Sequence, residues 1–118
     1  MNESPLNLNQ IKLIDQINLP TIEKHHLRVL AHCLETFKVM PQKESTKDLP
    51  SKQEQLDWCA SNPKIFKDRQ FILVLLNQFT SAAFVLQEIA NNLKISPLDL
   101  TLDDLISDAL RRSSKDLG

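Results

Sequence analysis

Between Arg69 and Glu88 the chain runs for 18 consecutive residues, Gln70 to Gln87, without a charged side chain. The apolar runs FILVLL and FTSAAFVL fill most of it. A membrane-spanning helix needs about 20 predominantly apolar residues. Here Asn77, Gln78, Thr80 and Ser81 interrupt the run at its middle, where lipid would leave their polar groups without partners at several kcal/mol. The segment therefore reads as a buried helix over residues 65–94, starting near Ile65 or Asp68 and about 40 Å long. It places 16 apolar residues among the 25 from Phe71 to Ile95. Its polar residues Gln70, Asn77, Ser81, Glu88 and Asn92 recur at spacings of seven or four, forming one narrow wet stripe on an apolar cylinder. A helix of that kind needs neighbours on most sides, so we read it as the central post of the fold.

The rest of the chain supplies helices to surround it. The one glycine is Gly118, so turns that require positive φ have no ready residue, and a turn-rich β fold is disfavoured. Six prolines fall where helices would end or begin. Leu8, Ile11, Ile14 and Ile17 recur every three residues and predict a helix over 7–18. From Ile22 to Met40 the three-and-four spacing continues, predicting a helix over 21–40 with Thr21 as its N-cap and Glu23 in the first turn. Residues 41–50, PQKESTKDLP, read as a loop. Ser51 with Glu54 has the form of a capping box opening a short helix over 52–61, with Leu56 and Cys59 on its inner side. Thr101 with Asp104 repeats that form ahead of a last helix over 101–112, where Arg111 and Arg112 suit the negative end of the helix dipole. Residues 113–118 read as a frayed tail. The expectation is an all-α single domain over 1–118: a small bundle of about five helices around the long apolar one.

The 118 residues are enough to bury a core without metals or disulfides. Apolar residues make up 42% and charged residues 25%, which sets the chain apart from disordered sequences. Net charge is −1, with no basic excess in either half, whereas proteins that hold nucleic acid by its phosphates show one. Cys33 and Cys59 fall inside predicted helices and no apolar signal segment opens the chain, which suits free buried thiols in a reducing, cytoplasmic setting.

One stretch raises a named activity. EIANNLKISPLDLTLDDLISDALRR, Glu88 to Arg112, resembles the helix-turn-helix of DNA-binding regulators. The resemblance implies that a segment over 87–112 touches DNA, with Lys94, Ser96, Thr101, Arg111 and Arg112 as its contacts. Against this, Asp99, Asp103, Asp104 and Asp108 would sit beside phosphate, and Lys94 occupies the place where glycine commonly permits the tight bend. A structural helix pair explains the same pattern.

Other constellations are weaker. Lys64, Lys67 and Arg69 surround Phe66 and could meet an acidic partner, although three cations near a helix start are commonly just solvated. His25, His26, His32 and Cys33 share one helix, but no two are four apart, the spacing that brings ligands onto one face. A half-buried His26 beside an exposed His25 is the simpler expectation. Cys33 points about 100° away from His32 around the helix, and Cys59 has no nearby base, so neither forms an evident nucleophile pair. No cofactor, metal, catalytic group or small-molecule ligand is expected.

What remains is docking. The long helix offers more apolar surface than four short neighbours can be counted on to cover, and an uncovered strip would favour a protein partner or a second copy. The sequence thus points to a non-catalytic regulatory or adaptor protein acting through protein–protein contact. Trp58, Phe66, Lys64, Lys67, Arg69 and the acidic Asp103, Asp104 and Asp108 are the candidate contact residues, and DNA binding at 87–112 is the alternative.

Overall fold

The structure is a computed structural model that describes residues 7–40, 48–62 and 68–117, with side chains as far as Ser113. The fold is all-α. Its helices are α1 (Leu8–Gln16), α2 (Thr21–Val39), α3 (Lys52–Ala60), α4 (Arg69–Leu93) and α5 (Leu102–Leu117), with a 3-10 turn at Pro97–Asp99 between the last two. No strand occurs among the described residues.

Local chemistry sets most of the boundaries. Ser51 and Glu54 form the reciprocal cap of α3: the Glu54 N–H donates to Ser51 Oγ at 3.1 Å and the Ser51 N–H to Glu54 Oε1 at 2.9 Å. Asn7 and Gln10 do the same for α1. Asp104, one methylene shorter than glutamate, still reaches the Thr101 N–H with Oδ2 at 3.0 Å. Asp68 Oδ1 accepts the Gln70 N–H at 2.8 Å, which settles the start of α4 at Arg69. At α2 the cap residue is Pro20, not Thr21, which is already helical. A proline there lacks only an N–H that the first turn would leave unused.

The organising helix is α2 rather than α4. It packs against α1, α4, α5 and the 3-10 turn. Leu27, Ala31, Cys33, Leu34 and Phe37 of α2 are buried against Phe79, Ala82, Leu86, Ile89 and Ala90 of α4, with Leu100 and Leu105 closing the far side and Ile14 of α1 the near one. Phe37 and Phe79 meet with ring centroids 5.2 Å apart and planes tilted by 60°, a ring pair worth about 0.5–1.5 kcal/mol beyond the area it buries. Lys38 Nζ donates to Leu100 O at 2.7 Å, tying the end of α2 to the approach to α5. Arg28 pairs with Asp15, and Lys24 Nζ donates to Asp15 O at 2.6 Å, holding α1 on α2.

The expected buried post is therefore only half right. The buried residues of α4 all lie in its C-terminal part, from Phe79 onward. In its first half Phe71 is 47% exposed, Leu73 57% and Val74 66%, and further along Phe84 is 72% exposed. By length and composition α4 could cross a membrane, and only 22% of its most apolar 18-residue window is buried. The reason is geometric: 25 residues of helix reach about 37 Å, whereas α1 and α3 have nine residues each, too short to clothe it. The wet stripe is as expected, with Gln70, Asn77, Ser81, Glu88 and Asn92 all exposed.

The end of the last helix also differs from the sequence expectation. Helix α5 continues through residue 117, so the tail over 113–117 is helical rather than frayed, and Arg111 and Arg112 lie within the helix, not at its end. Of the expected loop, residues 41–47 lie outside the described residues.

Helix α4 stops in a Schellman motif. The Ile95 N–H donates to Ala90 O at 3.1 Å and the Lys94 N–H to Asn91 O at 3.2 Å. Lys94 takes φ 59° and ψ 41°, the one positive φ among the described residues. A side chain with a Cβ costs about 1–2 kcal/mol there, part of which glycine would give back as unfolded-chain entropy. Lys94→Gly is therefore expected to stabilise the fold by about 0.5–1 kcal/mol in urea unfolding. A loss of stability would show that the lysine side chain holds the turn.

Candidate interaction surface

Of the residues singled out from sequence, Phe66, Lys64 and Lys67 lie outside the described residues. Arg69 is exposed at the first position of α4. Trp58 is half-buried against the hydrophobic core, and its carbonyl accepts Asn62 Nδ2 at 2.7 Å. The indole thus serves the packing of α3. On that helix it is Gln55, not Leu56, that turns inward with Cys59. Gln55 Nε2 donates to Pro50 O at 3.1 Å, anchoring the end of the preceding loop, while its Oε1 is buried without a partner. Leu56 is left 44% exposed.

The acidic group on α5 is less uniform than its composition implies. Asp103 is exposed, and Asp104 is engaged as the cap partner of Thr101. Asp108 is only 7% exposed, and its carboxylate accepts Arg111 at 2.5 Å and Arg112 at 2.8 Å. A buried carboxylate is tolerated when charge partners satisfy it, and arginines three and four residues along one helix face are placed to do so. Asp108 therefore does not belong to an outward acidic face, and the two arginines proposed for DNA are each already bonded to a carboxylate. Lys94 and Ser96 belong to the turn, Lys94 as the αL residue and Ser96 as the cap residue of the 3-10 turn. Thr101 Oγ1 accepts the Asp104 N–H at 3.3 Å. The segment over 87–112 is thus a helix pair in which Thr101 with Asp104, and Asp108 with Arg111 and Arg112, satisfy one another.

Both cysteines are free and buried. Burial pushes the Cys33 thiol up to about 11 and raises that of Cys59. Such thiols are poor nucleophiles and poor metal ligands at neutral pH. Burial likewise lowers the pKa of His32. His26 is exposed like His25, so the half-buried position expected for it is not observed. Among the described residues no three His, Cys, Asp or Glu side chains converge as metal ligands.

Between α3 and α4 the structure assembles a surface of mixed polarity, with Lys52 and Gln53 at its edge. Helices α3 and α4 diverge to leave an open groove of about 300 Å3, whose walls include Gln55, Leu56, Leu73, Leu76, Asn77 and Thr80. Leu73 stands exposed at its edge, Phe84 is exposed on the same flank further along α4, and Val74 is exposed on the other side of the wet stripe. Sequence reasoning anticipated a strip uncovered by short neighbours but did not place it. The signal lay in Leu73 and Phe84, which share a flank of the helix just beside the wet stripe.

The family model of the NDH complex assembly factor CRR9 matches residues 6–116, a span that includes every helix up to the last residue of α5. The chain belongs to that family. No curated protein and no solved structure matches it. As a CRR9 family member it carries an exposed apolar face on α4 and a core in which both thiols are shielded.

A raised thiol pKa has a defined consequence for stability. The unfolded chain releases the Cys33 proton near 9 while the folded chain holds it to about 11, so ionisation favours the unfolded state as pH rises across that window. Stability is expected to fall between these values and to fall less steeply in Cys33→Ala. Equal slopes for the two proteins in urea melts would contradict this.

Proposed function

We propose that the chain is a non-catalytic docking factor in the assembly of an NDH complex, binding a protein component through the exposed apolar face of α4. The observation that carries this reading is that face itself: Leu73, Val74 and Phe84 are each more than half exposed on a helix without a charged residue from Gln70 to Gln87. Large apolar side chains left this exposed on a small protein mark a place where another apolar surface can sit. Family membership supplies the setting, since the matching model describes an assembly factor.

The remaining chemistry fits docking better than catalysis. A nucleophile needs a thiolate or an activated hydroxyl with a base in reach, whereas burial keeps both thiols protonated. The apolar face and the polar residues beside it suit reversible contact, because a modest interface with a wet rim can form and release.

The test is capture from native cells. Tagged wild-type chain is expected to retain components of the NDH complex or its assembly intermediates. A variant carrying Val74→Asp and Ser81→Glu, both at exposed positions, is expected to lose at least about tenfold of that capture with unchanged helical circular dichroism. Retention of the same components by the variant, or none by the wild type, would overturn the reading.

A further inference from the structure

We infer that α4 also pairs with α4 of a second copy of this chain, antiparallel, along the strip Gln70, Leu73, Asn77, Thr80, Phe84 and Gln87. All six residues are exposed. They follow one another at steps of three, four, three, four and three, the spacing of a seam between two packed helices.

The order polar, apolar, polar, polar, apolar, polar on that strip is the same from either end. Amide, aliphatic and amide on one side answer hydroxyl, aromatic and amide on the other. With a two-fold axis crossing the helix between Gln78 and Phe79, Leu73 faces Phe84, Asn77 faces Thr80 and Gln70 faces Gln87 of the other copy. Only a two-fold self-interface requires such matching, because each residue must suit the partner that the symmetry gives it. An unlike partner imposes no palindrome.

The chemistry at each step is compatible. Leu73 and Phe84, 57% and 72% exposed, cover one another twice, once at each end of the seam. The Thr80 hydroxyl donates to Leu76 O at 2.9 Å within its own helix, and its oxygen can accept the amide of Asn77 from the other copy. Glutamine donates and accepts, so it can pair with itself. No charge lies on the strip, and like-charge repulsion between identical chains does not arise.

Size bounds the affinity. The seam from Gln70 to Gln87 is about 26 Å of helix, with Leu56 of α3 at its edge across the groove. That places the pair at the small end of specific interfaces, with dissociation on the order of micromolar. Leu73 and Phe84 are shared with the apolar face proposed for docking, whereas Val74 and Ser81 lie about 60–100° around the helix from them, so substitutions at the two sets of positions test self-pairing and docking separately.

Light scattering of the full chain at about 100 μM is expected to give 27 kDa, twice the 13.5 kDa of one chain. Leu73→Lys and Phe84→Glu, each at an exposed position, are expected to weaken pairing at least tenfold while leaving helicity unchanged. Mixing the two variants is expected to restore the 27 kDa species, twice 13.5 kDa, because the lysine introduced in one chain then faces the glutamate introduced in the other. A wild type that stays at 13.5 kDa throughout, variants that pair as the wild type does, or a mixture that fails to recover would each overturn the inference. A monomeric wild type that still captures NDH components would remove the pairing and leave the docking; a dimer that captures none would do the reverse.

Discussion

The crossing of Phe37 over Phe79 is the contact on which the rest of the architecture depends. It is where the buried face of α2 meets the buried face of α4, and each ring is at most 2% exposed. Around it Leu34, Leu86 and Ile89 are closed off from water, each contributing roughly 1.5–3 kcal/mol by burial. Once that crossing is made, α1 and α5 have fixed places on α2, and the Schellman turn at Lys94 sends the chain back over the same core through Leu100 and Leu105.

The same crossing decides what α4 cannot bury. It engages the helix from Phe79 onward, leaving the preceding turns to be covered by the nine residues of α3. That helix turns Gln55 and Cys59 inward and leaves Leu56 exposed, so it contributes little apolar surface of its own. The result is a helix that buries one face from Phe79 onward and buries no residue before it, with Phe84 exposed on the opposite side of the buried part. On the docking reading proposed above, the buried residues secure the fold and the exposed apolar residues of α4 are the ones available to a partner.

What could be read from sequence was what local chemistry decides. The caps at Ser51 and Thr101 are legible because donor and acceptor lie three residues apart, and the wet stripe on α4 is legible because its spacing is helical. Burial of a given face was not, since periodicity shows that a face is apolar without showing whether a neighbour is long enough to cover it. Arg111 and Arg112 resembled a helix end, but their partner is Asp108, and a carboxylate neutralised by two guanidinium groups can go inside. Gln55 was passed over because a lone amide has no pattern; only the position of Pro50 O explains its burial. The exposed strip holding Leu73 and Phe84 became visible only when exposure could be set beside spacing.

Amide hydrogen exchange along α4 tests the division of that helix most directly. In dilute protein, below the concentration at which chains pair, amides from Phe79 to Ala90 should exchange as slowly as those of α2, and amides from Ile72 to Asn77 at least tenfold faster. Uniformly slow exchange from one end of α4 to the other would show a helix enclosed along its whole length, and would contradict the exposed half on which the docking surface rests.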